Sequence, residues 1–254
     1  MEPLTTQKSN PAIPIAIVVG FAFIAVAIFF TSERGKSSPV VADSATSTPQ
    51  LTGTPRPVDA TDYIRGNPNA PILMIEYSDY DCPFCKKYHE VLNQVMDELG
   101  TTGKVAWVYR QFPIAQLHPN APKISEAALC VGSLNGNDTF WKFTDLVFEE
   151  RALDEQTNMV KLPDYAEQIG VKKEDFTSCL ESGKMAEAVK ASATEAFNIG
   201  ARGTPYTVIV VGNEQAVVNG GQSYDTVKGI LKNLINQLEG GITPEEKTTA
   251  STTQ

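Results

Sequence analysis

Ile72-Leu73-Met74-Ile75-Glu76-Tyr77-Ser78-Asp79-Tyr80-Asp81-Cys82-Pro83-Phe84-Cys85 is the stretch whose reading decides the fold. An apolar run of strand character gives way to two cysteines two residues apart, and then to helical periodicity. A cysteine pair at such a junction reads as a redox dithiol. The first turn of a helix leaves backbone N–H groups unpaired and carries the positive end of the helix dipole, so a thiol held there is favoured as the thiolate, the attacking species. Pro83 suits the first helical position, where its missing N–H would have had no intrahelical partner. The helix start is expected to leave Cys82 exposed and Cys85 recessed. The competing reading is half of a zinc site: His89 lies one turn after Cys85, but Cys130 and Cys179 lack the paired spacing that would complete four ligands. A redox pair without a metal is therefore the expectation.

Working outward, residues 72–77 read as a buried strand, and Tyr88, Val91, Leu92, Val95 and Leu99 recur at helical spacing on one face. A second strand covers 105–112. The next ninety or so residues are helical in pattern, with Gly136, Gly170, Gly183 and Gly200 as stops. Segments 206–211 and 215–219 around Gly212-Asn213 read as a β-hairpin, and a final helix carries Val227, Ile230, Leu231, Leu234, Ile235 and Leu238 on one face. The order is β-α-β, a helical block, then β-β-α.

The chain has 254 residues and a formal net charge of −9, without a dense Lys/Arg cluster, which argues against a nucleic-acid partner. After a short segment 1–11, residues 12–30 (AIPIAIVVGFAFIAVAIFF) carry no charge and are long enough to cross the ~30 Å hydrocarbon layer, so a transmembrane anchor is expected. The run exceeds the ~7–15-residue apolar region of a cleaved signal peptide and lacks a small-x-small site at its end. Residues 31–60, rich in Ser, Thr, Pro and Ala, read as a disordered linker with a reach of about 30 Å, and 241–254 as a disordered tail. Lys8 on one side of the span and Arg34 and Lys36 on the other leave the positive-inside rule undecided. Four cysteines, none in the span, suit an oxidising compartment and place the domain outside the cytoplasm, at the cell surface or in the periplasm.

Four further stretches join the opening one: Ile64-Arg65-Gly66-Asn67-Pro68-Asn69-Ala70-Pro71, Tyr109-Arg110-Gln111-Phe112-Pro113, Phe140-Trp141-Lys142-Phe143 and Gly203-Thr204-Pro205. In this order the chain resembles the DsbA-like thiol:disulfide oxidoreductases of the thioredoxin superfamily over roughly residues 60–240. The resemblance implies an α/β thioredoxin fold, βαβ…ββα, at 61–113 and 200–240, with an all-helical insertion at 114–199.

It implies site residues as well. Cys82 attacks, or is attacked, and Cys85 resolves the mixed disulfide. Glu76 stands where the superfamily places a buried acid that shuttles a proton to Cys85, although strand alternation alone leaves an outward-facing glutamate open. Thr204-Pro205 matches the position of a cis-proline facing the cysteines, whose neighbouring edge groups pair with substrate; Pro83 and Phe84 would line the same substrate-binding surface. Cys130 and Cys179 match a second, structural disulfide worth on the order of 3–4 kcal/mol. His118 reads as a loop residue, and Phe140, Trp141, Phe143 and Phe148 as insert core. No cofactor is implied. The expected partners are reduced or unfolded secreted proteins and a quinone-linked membrane protein that reoxidises the pair. Lys86, Lys87 and the helix terminus favour the Cys82 thiolate, while Asp79 and Asp81 oppose it. The alternatives are a disulfide reductase or isomerase, and a tethered, non-catalytic peptide-binding module.

Overall fold

A computed structural model of the chain describes residues 53–240. The elements are β1 (Tyr63–Gly66), β2 (Ile72–Ser78), α1 (Pro83–Leu99), β3 (Val105–Gln111), α2 (Ala121–Asn135), α3 (Asn137–Glu150), α4 (Leu162–Gln168), α5 (Lys173–Ser182), α6 (Ala186–Asn198), β4 (Tyr206–Val211), β5 (Glu214–Asn219) and α7 (Tyr224–Glu239). The strands form one mixed sheet in the order β1-β3-β2-β4-β5. β2 and β3 are parallel, joined by α1; the other neighbours are antiparallel. The parallel pair needs a crossover connection, and α1 provides it.

β2 is central and covered on both faces, which is why its sequence is a continuous apolar run rather than an alternation. Ile72 and Met74 join the larger core with α1, α7 and the inserted helices; Ile75 and Tyr77 join a second core with Val108, Ala196, Ile199 and Val208. Glu76 and Ser78 have the parity of Ile72 and Met74, so they face the side on which α1 lies. Leu92 and Val95 of α1 and Val227, Leu231 and Leu234 of α7 lie in that larger core. In the β4–β5 turn, Gly212 has φ +59°, a left-handed conformation that glycine adopts without strain.

Helices α2–α6 form the insertion. Cys130 on α2 and Cys179 on α5 are joined by a disulfide, with Cα atoms 5.9 Å apart. Phe140, Trp141, Phe143 and Phe148 are all buried in the larger core.

One strand is added to the expected order, and one expected boundary moves. β1 was not legible as a strand: it is four residues long and contains Arg65, yet it pairs with β3, and Tyr63 stacks on Phe140 with ring centroids 3.8 Å apart. The linker does not extend to residue 60, because from Gly53 the chain runs along the domain. Pro55 is buried, Val58 packs on the second core, and Arg56 donates its backbone N–H to Glu195 (2.8 Å) and pairs with Asp62 (2.7 Å). Among the described residues no helix is long and apolar enough to cross a membrane; the apolar run 12–30, the rest of the linker and the tail 241–254 lie outside them.

Candidate active site

Cys82 is the N-cap of α1 and Pro83 opens the helix, so the dithiol sits at the helix terminus. Both cysteines are free thiols. The Cys82 pKa is pulled down to about 6, chiefly by a hydrogen bond from the Cys85 thiol, which outweighs burial. Thr204 and the backbone amides of Cys85 and Phe84 add to it. The Cys85 thiol is pushed well up, by burial first and then by Cys82. One sulfur is thus poised as a thiolate and the other as its proton-bearing partner.

The two differ less in access than expected. Cys82 is 4% exposed and Cys85 fully buried. Cys82 is covered because the Thr204 carbonyl lies 3.5 Å from its sulfur and the Arg151 guanidinium donates to its main-chain carbonyl at 3.0 Å. The exposed member of the motif is Phe84, 65% open to solvent.

Glu76 is fully buried, which settles the alternative left by strand alternation. Its Oε2 accepts from the Trp107 indole N–H at 2.9 Å, and Oε1 has no hydrogen-bond partner of normal geometry. Burial raises its pKa to about 7, against smaller opposing effects of Ser78 and Trp107. Its charge is felt at Cys85. A carboxyl that titrates near neutrality behind a high-pKa thiol can give and take the proton that thiol needs.

The Thr204–Pro205 bond is cis. The Pro205 carbonyl accepts from Gly220 N–H, and Gly221 lies against both the Phe84 carbonyl and the Pro205 ring. Cys82, Phe84, Thr204 and Pro205 therefore come together at one end of the sheet.

The expected charges near Cys82 are arranged differently. Lys86 turns its ammonium to the carbonyls of Phe148 and Glu149 at the end of α3, where a cation complements the helix dipole. Lys87 points to solvent. Asp79 and Asp81 are buried, and their carboxylates accept from backbone and side-chain donors rather than facing the sulfurs bare: Thr157 donates its N–H and hydroxyl to Asp81 (2.8 and 2.6 Å). His118 lies not free in its loop but 2.9 Å from Asp79. His89 pairs with Asp145 at 2.8 Å, and among the described residues no group of three or more His, Cys, Asp or Glu side chains is arranged to hold a metal ion. Sequence reasoning missed Arg151, Thr157, Trp107 and the Asp79–His118 pair, all brought in from distant segments with no local signal.

Residues 59–233, more than half of the chain, match the family described as Thioredoxin. The chain belongs to the thioredoxin family. Among solved structures, this family member is similar to oxidised BdbD from Bacillus subtilis, at 21% identity over 74% of this chain and 100% of that one with a TM-score of 0.63. It is also similar to alpha-DsbA1 from Wolbachia pipientis (21%; 72% and 95%; TM-score 0.61) and to the catalytic domain of Proteus mirabilis ScsC (20%; 71% and 91%; TM-score 0.55). These likenesses show the thioredoxin-like fold. A curated relative, Na(+)/H(+) antiporter NhaA 1 of Mycolicibacterium gilvum, is 31% identical over 156 residues, covering 59% of this chain and 24% of its own length. The chain spans about a quarter of the length of the curated relatives it matches.

Proposed function

We propose that this thioredoxin-family protein oxidises cysteine pairs in secreted proteins, through exchange with a Cys82–Cys85 disulfide, from a membrane-tethered position outside the cytoplasm. The observation that carries the redox reading is the asymmetry of the pair: a depressed Cys82 thiol, an elevated Cys85 thiol and a buried Glu76 that titrates near neutrality.

In the forward direction a substrate thiolate attacks Sγ of Cys82, forming the mixed disulfide and breaking the Cys82–Cys85 bond. The electron pair leaves on Cys85, which takes a proton from Glu76. The second substrate thiolate then attacks the substrate sulfur of the mixed disulfide, forming the substrate disulfide and releasing Cys82 as the stabilised thiolate. Two electrons pass from substrate to enzyme. A quinone-linked membrane protein is the class of partner suited to removing them.

Substrate would lie along the surface formed by Phe84 and the Thr204–Pro205 segment, with Phe84 giving apolar contact independent of substrate sequence. The uncharged run 12–30 supports a membrane anchor, and the insert disulfide suits an oxidising compartment.

Incubation of the oxidised protein with a reduced dithiol peptide tests the reaction. One peptide disulfide should form for each Cys82–Cys85 bond reduced, and Cys82→Ser should abolish transfer. Peptide binding without transfer would make the protein a tethered binding module instead.

A further inference from the structure

Asp79 contacts both cysteines through its main chain. Its N–H donates to the Cys85 sulfur at 3.5 Å, and its carbonyl accepts from the Cys82 N–H at 3.2 Å. Its side chain is fully buried and anchored on every side: Oδ1 accepts from Asp81 N–H at 2.8 Å, and Oδ2 accepts from Ile114 N–H at 2.7 Å and faces His118 Nδ1 at 2.9 Å. The loop after β3 is shaped for this, since the Leu117 and His118 N–H groups both turn back onto the Ile114 carbonyl at 2.9 Å. That turn brings one backbone amide and one imidazole to a single carboxylate oxygen. The His118 side chain is 16% exposed, so the imidazole links the buried carboxylate to solvent.

A carboxylate beside the dithiol disfavours the Cys82 thiolate, and each donor that shares its charge relieves that effect. Arg151 stands among Asp79, Asp81 and both cysteines, and the two Asp81 donors from Thr157 treat the neighbouring carboxylate alike. Among the described residues, His118 is the one side-chain donor to Asp79.

We propose that His118 is a positioning residue of the redox couple: by hydrogen-bonding Asp79 it draws the buried negative charge away from the sulfurs and so keeps Cys82 a thiolate. The proposal rests on the redox reading of Cys82 and Cys85, and it goes beyond that reading by assigning the tuning of the pair to a residue of the loop after β3.

Thiolate absorbance of the reduced protein, followed as a function of pH for wild type and three variants, tests it. His118→Leu should raise the Cys82 pKa by about 0.5–1 unit. His118→Asn, which keeps a donor, should titrate like wild type. Asp79→Asn breaks the same pair but removes the charge, so it should shift the Cys82 pKa downward. A merely structural contact would make His118→Leu and Asp79→Asn move the same way. Shifts of the same sign, an unmoved His118→Leu titration, or His118→Asn behaving as His118→Leu would each overturn the inference. If His118→Leu does not fold, the sign of the Asp79→Asn shift decides alone, and an unchanged or raised pKa refutes it. A wild-type protein without any thiol titrating below the ordinary range would remove the redox reading, and this inference with it.

Discussion

Replacing Glu76 by Gln keeps the shape of the side chain and an acceptor for the Trp107 indole, and removes the carboxyl proton. Burial raises the Glu76 pKa from 4.5 to about 7. A raised acid pKa means that the folded state holds the proton more tightly. Stability from this group is therefore fully present below the unfolded pKa and is lost as pH rises through the folded one. Between 4.5 and about 7 the loss is about 2.5 units, and at ~1.36 kcal/mol per unit the buried carboxylate costs about 3 kcal/mol above pH 7. Part of that cost is already present at pH 5, so the difference between pH 5 and pH 8 is about 2–3 kcal/mol. The new amide N–H₂ brings its own desolvation cost of roughly 1–3 kcal/mol, the same at both pH values. Urea unfolding of the reduced wild type and of Glu76→Gln at the two pH values reports the charge, because the Cys82 titration is present in both proteins and only its coupling to Glu76 differs. The variant should gain about 2–3 kcal/mol relative to wild type on going from pH 5 to pH 8, while disulfide transfer slows. An equal stability difference at both pH values would show that Glu76 does not titrate in this window and would remove it from the proton transfer.

Alkylation of the reduced protein should modify Cys82 before Cys85, at a rate that falls as pH drops through about 6, and Cys85→Ser should trap mixed disulfides through Cys82; trapping through Cys85 in a Cys82→Ser protein would reverse the roles. The depressed Cys82 pKa also stabilises the folded reduced form above the ordinary thiol pKa, a contribution that must disappear as pH falls toward 6, as denaturation of the reduced protein can check. Phe84→His places a potential donor and cation between the cysteines and should make the couple more oxidising, by on the order of 30 mV; an unchanged potential would show that this position does not tune the thiolate. Replacing Cys130 and Cys179 by Ala should lower unfolding free energy by about 3–4 kcal/mol and leave the Cys82 titration unmoved, and a stability change near zero would contradict the loop-closure argument.

What was legible in the sequence was whatever a local pattern announces. Ile72-Leu73-Met74-Ile75 reads as a two-sided strand because burial on both faces needs no alternation, and the helical faces of α1 and α7 repeat at the period their packing requires. The same two-sided burial hid the direction of Glu76, which only the position of β2 between β3 and β4 resolves. β1 was invisible because its pairing with β3, not its own composition, makes it a strand. Gly53–Ala60 reads as linker by composition, and is held by Arg56 meeting Asp62 and Glu195, the latter from α6. The charge setting of the dithiol was misread for a similar reason: Lys86 is adjacent in sequence but serves α3, whereas Arg151 and His118 are distant in sequence and adjacent in space.

The equilibrium of the Cys82–Cys85 couple with glutathione tests the central claim most directly. A stabilised Cys82 thiolate favours the reduced enzyme and hence oxidising power, so the potential should lie between about −270 mV, the value of thioredoxin, and about −120 mV, that of the DsbA oxidant, on the oxidising side of their midpoint. A value at or below about −270 mV would contradict the oxidant reading and make the protein a reductase.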